Sequence, residues 1–561
     1  MKNTLRSFLV LCPVCFSYGQ NQHPVPAQTE QDSAVINGEI ILPGEKPASI
    51  TFYVADYLLG IERPERGSVD EEGRFHVKFF IRNAHQVYWH HGERGRPRSL
   101  IVSPGDSLTL NVTDSGVKFT GKNAAASEDY YYMRTQEKWS AYYYALDTGY
   151  RLEPEAYLQF RKDHYKEDLE LLDSYCKSRS CSGLFKRWYA TDAKVRYFRD
   201  LMAYSWKSAD YGLGSPVRLT GERKGKYNAA YLGQIDLDDS TYAMSKWYTF
   251  FLNGYSQKVE NRIPPDQVRK ALYITKLNLL LDIISREVSV EVNATSASKS
   301  VLQNLLKKAH KDSEPDSADL KLMWKLAERY ELPLQRAMDI WNADRWVEQI
   351  NSISHQNTKE LRFLQSFIQN IDQVPNLDYL YEKMYPLIQN PAYRGVLARE
   401  YEKKREEDAL IGNPHGISVM PKKYGESANE LLSNIVKTNR NKVIVIDFWA
   451  TWCAPCLDDF TRMKPIKEKL PADSISYVYL CSQSSRDLWL KQIKKYSVKG
   501  QHYFLSDIQY SEFQKKFGLK AFPSYIIVDA KRRIYKDITL RDIREERRFM
   551  EKLQDIMARD N

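Results

Sequence analysis

The stretch Ile446–Cys456 reads IDFWATWCAPC. A hydrophobic run ends in two tryptophans and two cysteines three residues apart, and helical texture follows. A strand–Cys-x-x-Cys–helix junction puts the first thiol, Cys453, among unpaired backbone N–H groups at the positive end of a helix dipole. Both favour thiolate over thiol and carry a cysteine pKa from about 8.5 into roughly the 3.5–7.5 range. Cys453 is therefore expected to be exposed and nucleophilic. Cys456, one turn in, is expected to attack a mixed disulfide from behind and release product. Pro455 fits because the first helical turn does not need its N–H. Ala454-Pro455 supplies no charge to hold a reduced thiolate, as a histidine would, so a reducing pair is expected.

Asp447 lies six residues before Cys453, on the strand VIVIDF. Among Ile, Phe and Trp its pKa should rise by desolvation, which suits a proton acceptor from Cys456, directly or through a water. The plainer reading is an aspartate capping a loop. Pro523, in FPSYIIVD, begins a strand, where proline is permitted. With a cis bond, the backbone before it faces the cysteine pair and can bind an extended substrate. Half a zinc site is disfavoured because no second cysteine pair follows. A peroxidatic site is disfavoured because Ala450, not threonine, stands three residues before Cys453. Cys481 ends an apolar strand and reads as a buried, inert thiol.

Working outward, residues 413–561 alternate strand and helix with an antiparallel ending, the order of an α/β unit. Residues 35–121 read as β. Runs such as EIIL, SITFYVA, RFHVKFFI, QVYWH, SLIV and SLTLNV are separated by turn signals, which predicts a small sandwich. His90-His91 sits at a strand end, and adjacent strand residues point to opposite faces, which disfavours a metal site. Residues 122–412 carry apolar residues at three- and four-residue steps and read as an all-α region. Its aromatic clusters Tyr130–Tyr132 and Tyr142–Tyr144 are expected to pack helix on helix rather than stack on ligands. Cys176 and Cys181 would lie about 140° apart on one continuous helix. The intervening KSRS and following Ser-Gly allow the helix to end and a structural disulfide to form.

The 561 residues suggest three or four domains at about 150 residues each. Hydrophobic residues make up 43% and charged residues 27% of the chain, ordinary for a soluble globular protein. The net charge of +10 is spread among alternating acidic and basic residues, with no basic block of the kind that binds nucleic acid. Lys2 and Arg6, the apolar run SFLVLCPVCF and the small residues Ser17 and Gly19 have the pattern of a signal peptide over 1–19. The run is short and holds Pro13, so a permanent span is not expected. Leu11 and Val14 precede Cys12 and Cys15 where a lipid-attachment motif wants a small residue, so lipid anchoring is not expected either. Cleavage would leave five cysteines, Cys176, Cys181, Cys453, Cys456 and Cys481, too few for a disulfide scaffold.

DFWATWCAPC followed by FGLKAFPSYIIVD resembles the thioredoxin superfamily, and more closely its exported TlpA/ResA-like thiol-disulfide oxidoreductases. The resemblance covers about residues 413–561. It implies a thioredoxin fold there, with Cys453 as nucleophile, Cys456 as resolving cysteine, Trp452 as the tryptophan before the pair, Pro523 as the cis-proline and Asp447 as the buried acid. The order of β-rich prefix, helical middle and thioredoxin-like end is similar to large periplasmic members. Two departures stand out: Asp459 and Thr461 occupy places where such chains often carry Glu and Pro, and residues 475–481 hold no lysine near the acid. The resemblance implies a periplasmic reductase of exported protein disulfides, recharged by a membrane thiol reductase. Its redox group would be the Cys453–Cys456 disulfide, with no added cofactor or metal. The competing expectations are a binding or assembly protein that uses the C-terminal part for docking, and a disulfide oxidant or isomerase.

Overall fold

The computed structural model describes residues 33–558 apart from 45–46, 92–97, 137–148, 211–218, 220, 260–264, 287–291, 311–322, 324–325, 328, 424, 471–472 and 539–544. The expected leader over 1–19, with Cys12 and Cys15, and the cluster Tyr142–Tyr144 lie outside the described residues.

Eight strands occupy the N-terminal part: β1 (Ser33–Ile41), β2 (Ser49–Asp56), β3 (Ile61–Ser68), β4 (Arg74–Phe80), β5 (His85–His91), β6 (Arg98–Val102), β7 (Ser107–Thr113) and β8 (Gly116–Gly121). They form two four-stranded sheets, ordered β4-β1-β7-β8 and β3-β2-β5-β6. Ile36, Phe79 and Leu110 from the first sheet and Phe52, Val87 and Trp89 from the second share one core. The alternating apolar residues of SITFYVA and SLTLNV supply that inner face. Sequence reading leaves out β3 and β8. IERPERGS is poor in strand formers, but β2 pairs with it residue for residue from Ser49↔Ser68 to Asp56↔Ile61. It is an edge strand, where Pro64 is tolerated. His90 is spent on Tyr53, whose hydroxyl lies 3.1 Å from its Nε2.

Helices fill the middle: α1 (Ala124–Gln136), α2 (Pro154–Ser178), α3 (Gly183–Asp210), α4 (Gly221–Leu232), α5 (Tyr248–Val259), α6 (Pro265–Arg286), α7 (Val292–His310), α8 (Glu331–Asn351), α9 (Gln356–Asn370), α10 (Leu377–Met384) and α11 (Pro391–Ala409). Tyr130 packs edge-on against Trp188, with ring centres 5.2 Å apart, so this aromatic is core. Tyr157 and Tyr204 stack at 4.3 Å and join the largest cluster of the region. Helix α2 stops at Ser178 because Arg179 adopts an extended backbone. That break brings Cys176 and Cys181 to a Cα separation of 5.0 Å, and they are bridged.

The C-terminal part carries β9 (Ile417–Val419), α12 (Ala428–Thr438), β10 (Val443–Trp449), α13 (Ala454–Glu468), β11 (Ile475–Cys481), α14 (Arg486–Lys495), β12 (Gly500–Phe504), α15 (Asp507–Phe517), β13 (Ser524–Val528), β14 (Ile534–Ile538) and α16 (Glu546–Ala558). One sheet runs β14-β13-β10-β11-β12-β9. β10 is parallel to β11 and antiparallel to β13. Every residue of β10 is buried, as a central strand covered on both faces requires. Ile444, Ile446 and Phe448 face the cluster built on α12 and α15. Val443, Val445 and Trp449 face the other side, toward α13, α14 and α16. Alternation puts Asp447 on that second face, an acid in a row of hydrophobes. The short parallel strand β9 pairs with β12, and its Ile417 packs against the cluster that holds the cysteine pair; three residues are too few to carry a periodic signal in the sequence. Among the described residues no helix is long and apolar enough to cross a membrane.

Candidate functional site

The chain leaves β10 at Trp449, turns through Ala450–Trp452 and enters α13 with Cys453 as its N-cap. Cys453 and Cys456 form a disulfide with Cα atoms 5.3 Å apart. The Cys453 Sγ also accepts the Cys456 backbone N–H at 3.3 Å. A sulfur in an N-cap position takes up one of the free donors of the first turn, which stabilises negative charge on it. Cys456 is 0% exposed and Cys453 only 4%, so the expectation of a clearly exposed first cysteine needs correction. Phe522 packs against the cluster that holds both cysteines and meets Trp452 edge-on at 5.7 Å. The Trp452 indole, 56% open, and Ala454-Pro455 between the cysteines are exposed. The Phe522-Pro523 bond is cis.

A second loop backs the turn. Gln483 adopts φ +51°, an unusual backbone for a residue with a side chain, and its carbonyl accepts the Trp452 Nε1–H at 2.8 Å. Ser484 Oγ accepts the Thr451 N–H at 2.9 Å. The buried Gln492 donates to the Thr451 carbonyl at 3.1 Å. The helical region reaches this loop as well: Gln335 donates to the Ser484 carbonyl at 2.5 Å, and Ser485 donates to Asp339 at 3.2 Å. None of these backing residues was anticipated, because their spacing in sequence carries no periodic signal.

Asp447 is buried on β10, which disposes of the loop-cap reading, and its Oδ1 has no hydrogen-bond partner among the described residues. Burial pushes its carboxyl well above the usual carboxylate range, partly offset by Lys467 and reinforced by Asp459. Burial likewise pushes the Lys467 ammonium down, against the pull of Asp447 and Asp459. These groups meet around a small chamber of about 10 Å³ lined also by Phe460, Tyr477, Tyr479 and Tyr525, at the lower limit of what one water needs. Tyr525 donates to Asp459 at 3.0 Å, and Lys467 bonds the Tyr479 hydroxyl. The lysine that residues 475–481 lack therefore arrives from α13. Its signal was present: Cys456, Asp459, Phe460, Met463 and Lys467 follow one another at helical steps and share one face of α13. Phe460 is the link, since it lines the chamber and also packs with Cys456. Cys481 is free and buried, and burial drives its thiol pKa far up.

With this geometry in hand, comparison with known proteins is direct. Residues 430–553 match the Redoxin family. A 51-residue stretch is 37% identical to a thioredoxin from Coprinus comatus, 9% of this chain and 48% of that protein. The chain thus spans about half the length of that curated relative. Among solved structures it is similar to the thioredoxin domain of a thiol-disulfide oxidoreductase from Bacteroides vulgatus, at 17% identity and a TM-score of 0.19 over 21% of this chain and 82% of that one. It is similar also to StoA from Bacillus subtilis, at 19% identity and a TM-score of 0.16 over 19% and 84% of the two chains.

Proposed function

We propose that this chain is an exported thiol-disulfide oxidoreductase that reduces disulfides of other exported proteins. The observation that carries the reading is the Cys453 sulfur at the N-cap of α13, bonded to the Cys456 N–H, with Cys456 fully buried behind it. In the reduced form the Cys453 thiolate attacks one sulfur of a substrate disulfide. A Cys453–substrate disulfide forms, and the other substrate sulfur leaves as a thiolate that takes a proton from water. Cys456 then loses its proton, attacks the Cys453 sulfur and releases the second substrate thiolate. Two electrons pass from the dithiol to the substrate, and the Cys453–Cys456 disulfide remains.

Asp447 is the acceptor for the Cys456 proton in this scheme, through one water in the chamber. Its raised pKa suits a base that must both take and return a proton near neutral pH. Lys467 tempers that rise and holds the carboxylate form once it appears. Trp452 and the Phe522-Pro523 segment supply the surface over which the substrate backbone lies. The neutral Ala454-Pro455 pair favours the reducing direction. The periplasm is the compartment, and a membrane dithiol reductase supplies the two electrons for the next turnover. Purified Cys453→Ser protein, supplied with dithiothreitol, is expected to reduce insulin at least about a thousandfold more slowly than wild type, the usual scale for loss of a nucleophile. Equal rates would end the proposal.

A further inference from the structure

Between α8, α9 and the C-terminal domain lies a cleft of about 1090 Å³. On its helical wall stand Asn342, Trp346, Gln369 and Gln373; on the facing wall stand Gln483, Phe504, Tyr510 and Gln514. The cleft reaches Thr451 and Trp452, the two residues before Cys453. Tyr510 continues its wall onto Phe522 by ring stacking at 5.0 Å, and Phe522 precedes Pro523. One surface therefore leads from the cleft to both sides of the cysteine pair.

The chemistry of the walls selects an occupant. The side-chain amides of Asn342 and Gln483 offer donors and acceptors together, which is what the main chain of an extended peptide needs irrespective of its sequence, while Gln369 already donates to the Gly60 carbonyl at 3.0 Å and Gln373 accepts from Gln492 at 3.5 Å. The half-buried Trp346 ring takes apolar side chains, with the buried Phe504 and Tyr510 on the facing wall. Of the charged wall residues, Glu331 pairs with Lys422 and Lys276 with Asp507 at 3.8 Å, while Asp339 accepts from the Ser485 hydroxyl at 3.2 Å and Arg362 donates to the Asn253 side chain. An acid and a base of the wall are thus held by neutral partners and the rest by opposite charges, and the cleft carries no large excess of one charge. Its volume is at the upper end of ordinary ligand sites: large for a small thiol, and far too small for a folded domain.

We propose that this cleft binds an unfolded polypeptide segment with an uncharged centre and delivers it to Cys453. The helical region is then the part of the molecule that selects substrates, and the preferred disulfides are those in chains not yet folded. Only the delivery rests on the function proposed above; the binding does not.

The test uses the full chain in its oxidised form and a probe with no reactive sulfur, the S-carboxamidomethylated insulin B chain labelled with fluorescein. Anisotropy titration compares wild type with Asn342→Trp and Ser511→Trp. Both residues line the cleft, on opposite walls, and both are exposed, so neither change disturbs a core. Wild type binds the probe, and each variant weakens binding at least about tenfold, as an occluding side chain should. Absence of wild-type binding, or wild-type affinity in either variant, overturns the proposal. Self-association that the probe fails to displace overturns it too, because a second copy would then be the occupant. Insulin reduction is measured in parallel. Its loss with probe binding intact removes only the redox reading, and its survival without probe binding removes only the cleft.

Discussion

Cys453–Cys456 and Cys176–Cys181 each close a short loop, with Cα atoms 5.3 and 5.0 Å apart, yet their surroundings are opposite in kind. Beside Cys176–Cys181 the carboxylate and the helix-end groups are bonded, and the Trp188 Nε1 in the same cluster is the buried polar atom left without a partner among the described residues. Asp129 accepts from the Tyr175 hydroxyl at 2.9 Å and from the Ser182 N–H at 2.7 Å. Ser178 caps the Tyr175 carbonyl at 2.9 Å, and the Arg179 guanidinium lies 3.8 Å over the Tyr132 ring. This bridge joins the end of one helix to the start of the next and would keep its flanks in place even when open. Around Cys453–Cys456 stand an unpartnered buried carboxyl oxygen, a depressed lysine and an exposed indole. Two covalently alike bonds thus differ in the charged groups beside them: a carboxylate with two donors at one, a carboxyl oxygen with none among the described residues at the other.

The sharpest way to break the contrast is limited reduction. Exposure alone would open Cys176–Cys181 first, since its cysteines are half-buried whereas Cys453 and Cys456 are buried. Thiolate stabilisation at the N-cap of α13 argues the reverse, because a better leaving thiolate opens faster. At pH 7 with limiting dithiothreitol, Cys453–Cys456 is expected to open at least about a hundredfold faster, read by alkylation and peptide mass spectrometry. Prior opening of Cys176–Cys181 would reverse the two assignments.

A middling effect concerns pH. Burial raises Asp447 in the folded state, so folded protein keeps a proton that the unfolded chain loses above about pH 4. The stability this contributes is present at low pH and declines as pH climbs toward the raised folded value. Asp447→Asn removes the decline while Asp459 still neighbours Lys467. Its C-terminal domain is expected to gain on the order of 2 kcal/mol over wild type at pH 8 and little at pH 5, by urea denaturation followed through tryptophan fluorescence. A gain that is the same at both pH values would show that the carboxyl is not titrating there. The smallest effect belongs to the structural bridge: Arg179→Ala should cost about 0.5–1 kcal/mol through the lost contact with Tyr132 and leave insulin reduction unchanged. A fall in that rate would mean the two disulfides communicate.

What the sequence disclosed follows the same divide. Local chemistry was legible: the strand–CAPC–helix junction, the acid among hydrophobes at 447, the helix break that lets Cys176 meet Cys181. Each depends on residues near one another in the chain, where periodicity and capping speak. Strand β3 was hidden because its residues are poor strand formers recruited by a partner. Lys467 is hard to read from sequence because it reaches the acid from three turns along α13 and not from the neighbouring strand. The backing of Thr451 by Ser484 and Gln492 spans 33 and 41 residues and that of Ser484 by Gln335 spans 149, and no local pattern announces such contacts.

Those last contacts carry a practical corollary. A fragment that begins near residue 413 takes the dithiol with it but leaves behind Gln335 and Asp339, the helical partners of Ser484 and Ser485. Excision would produce a different reagent from the parent, with one side of its reactive turn unbraced and every disulfide in solution free to approach.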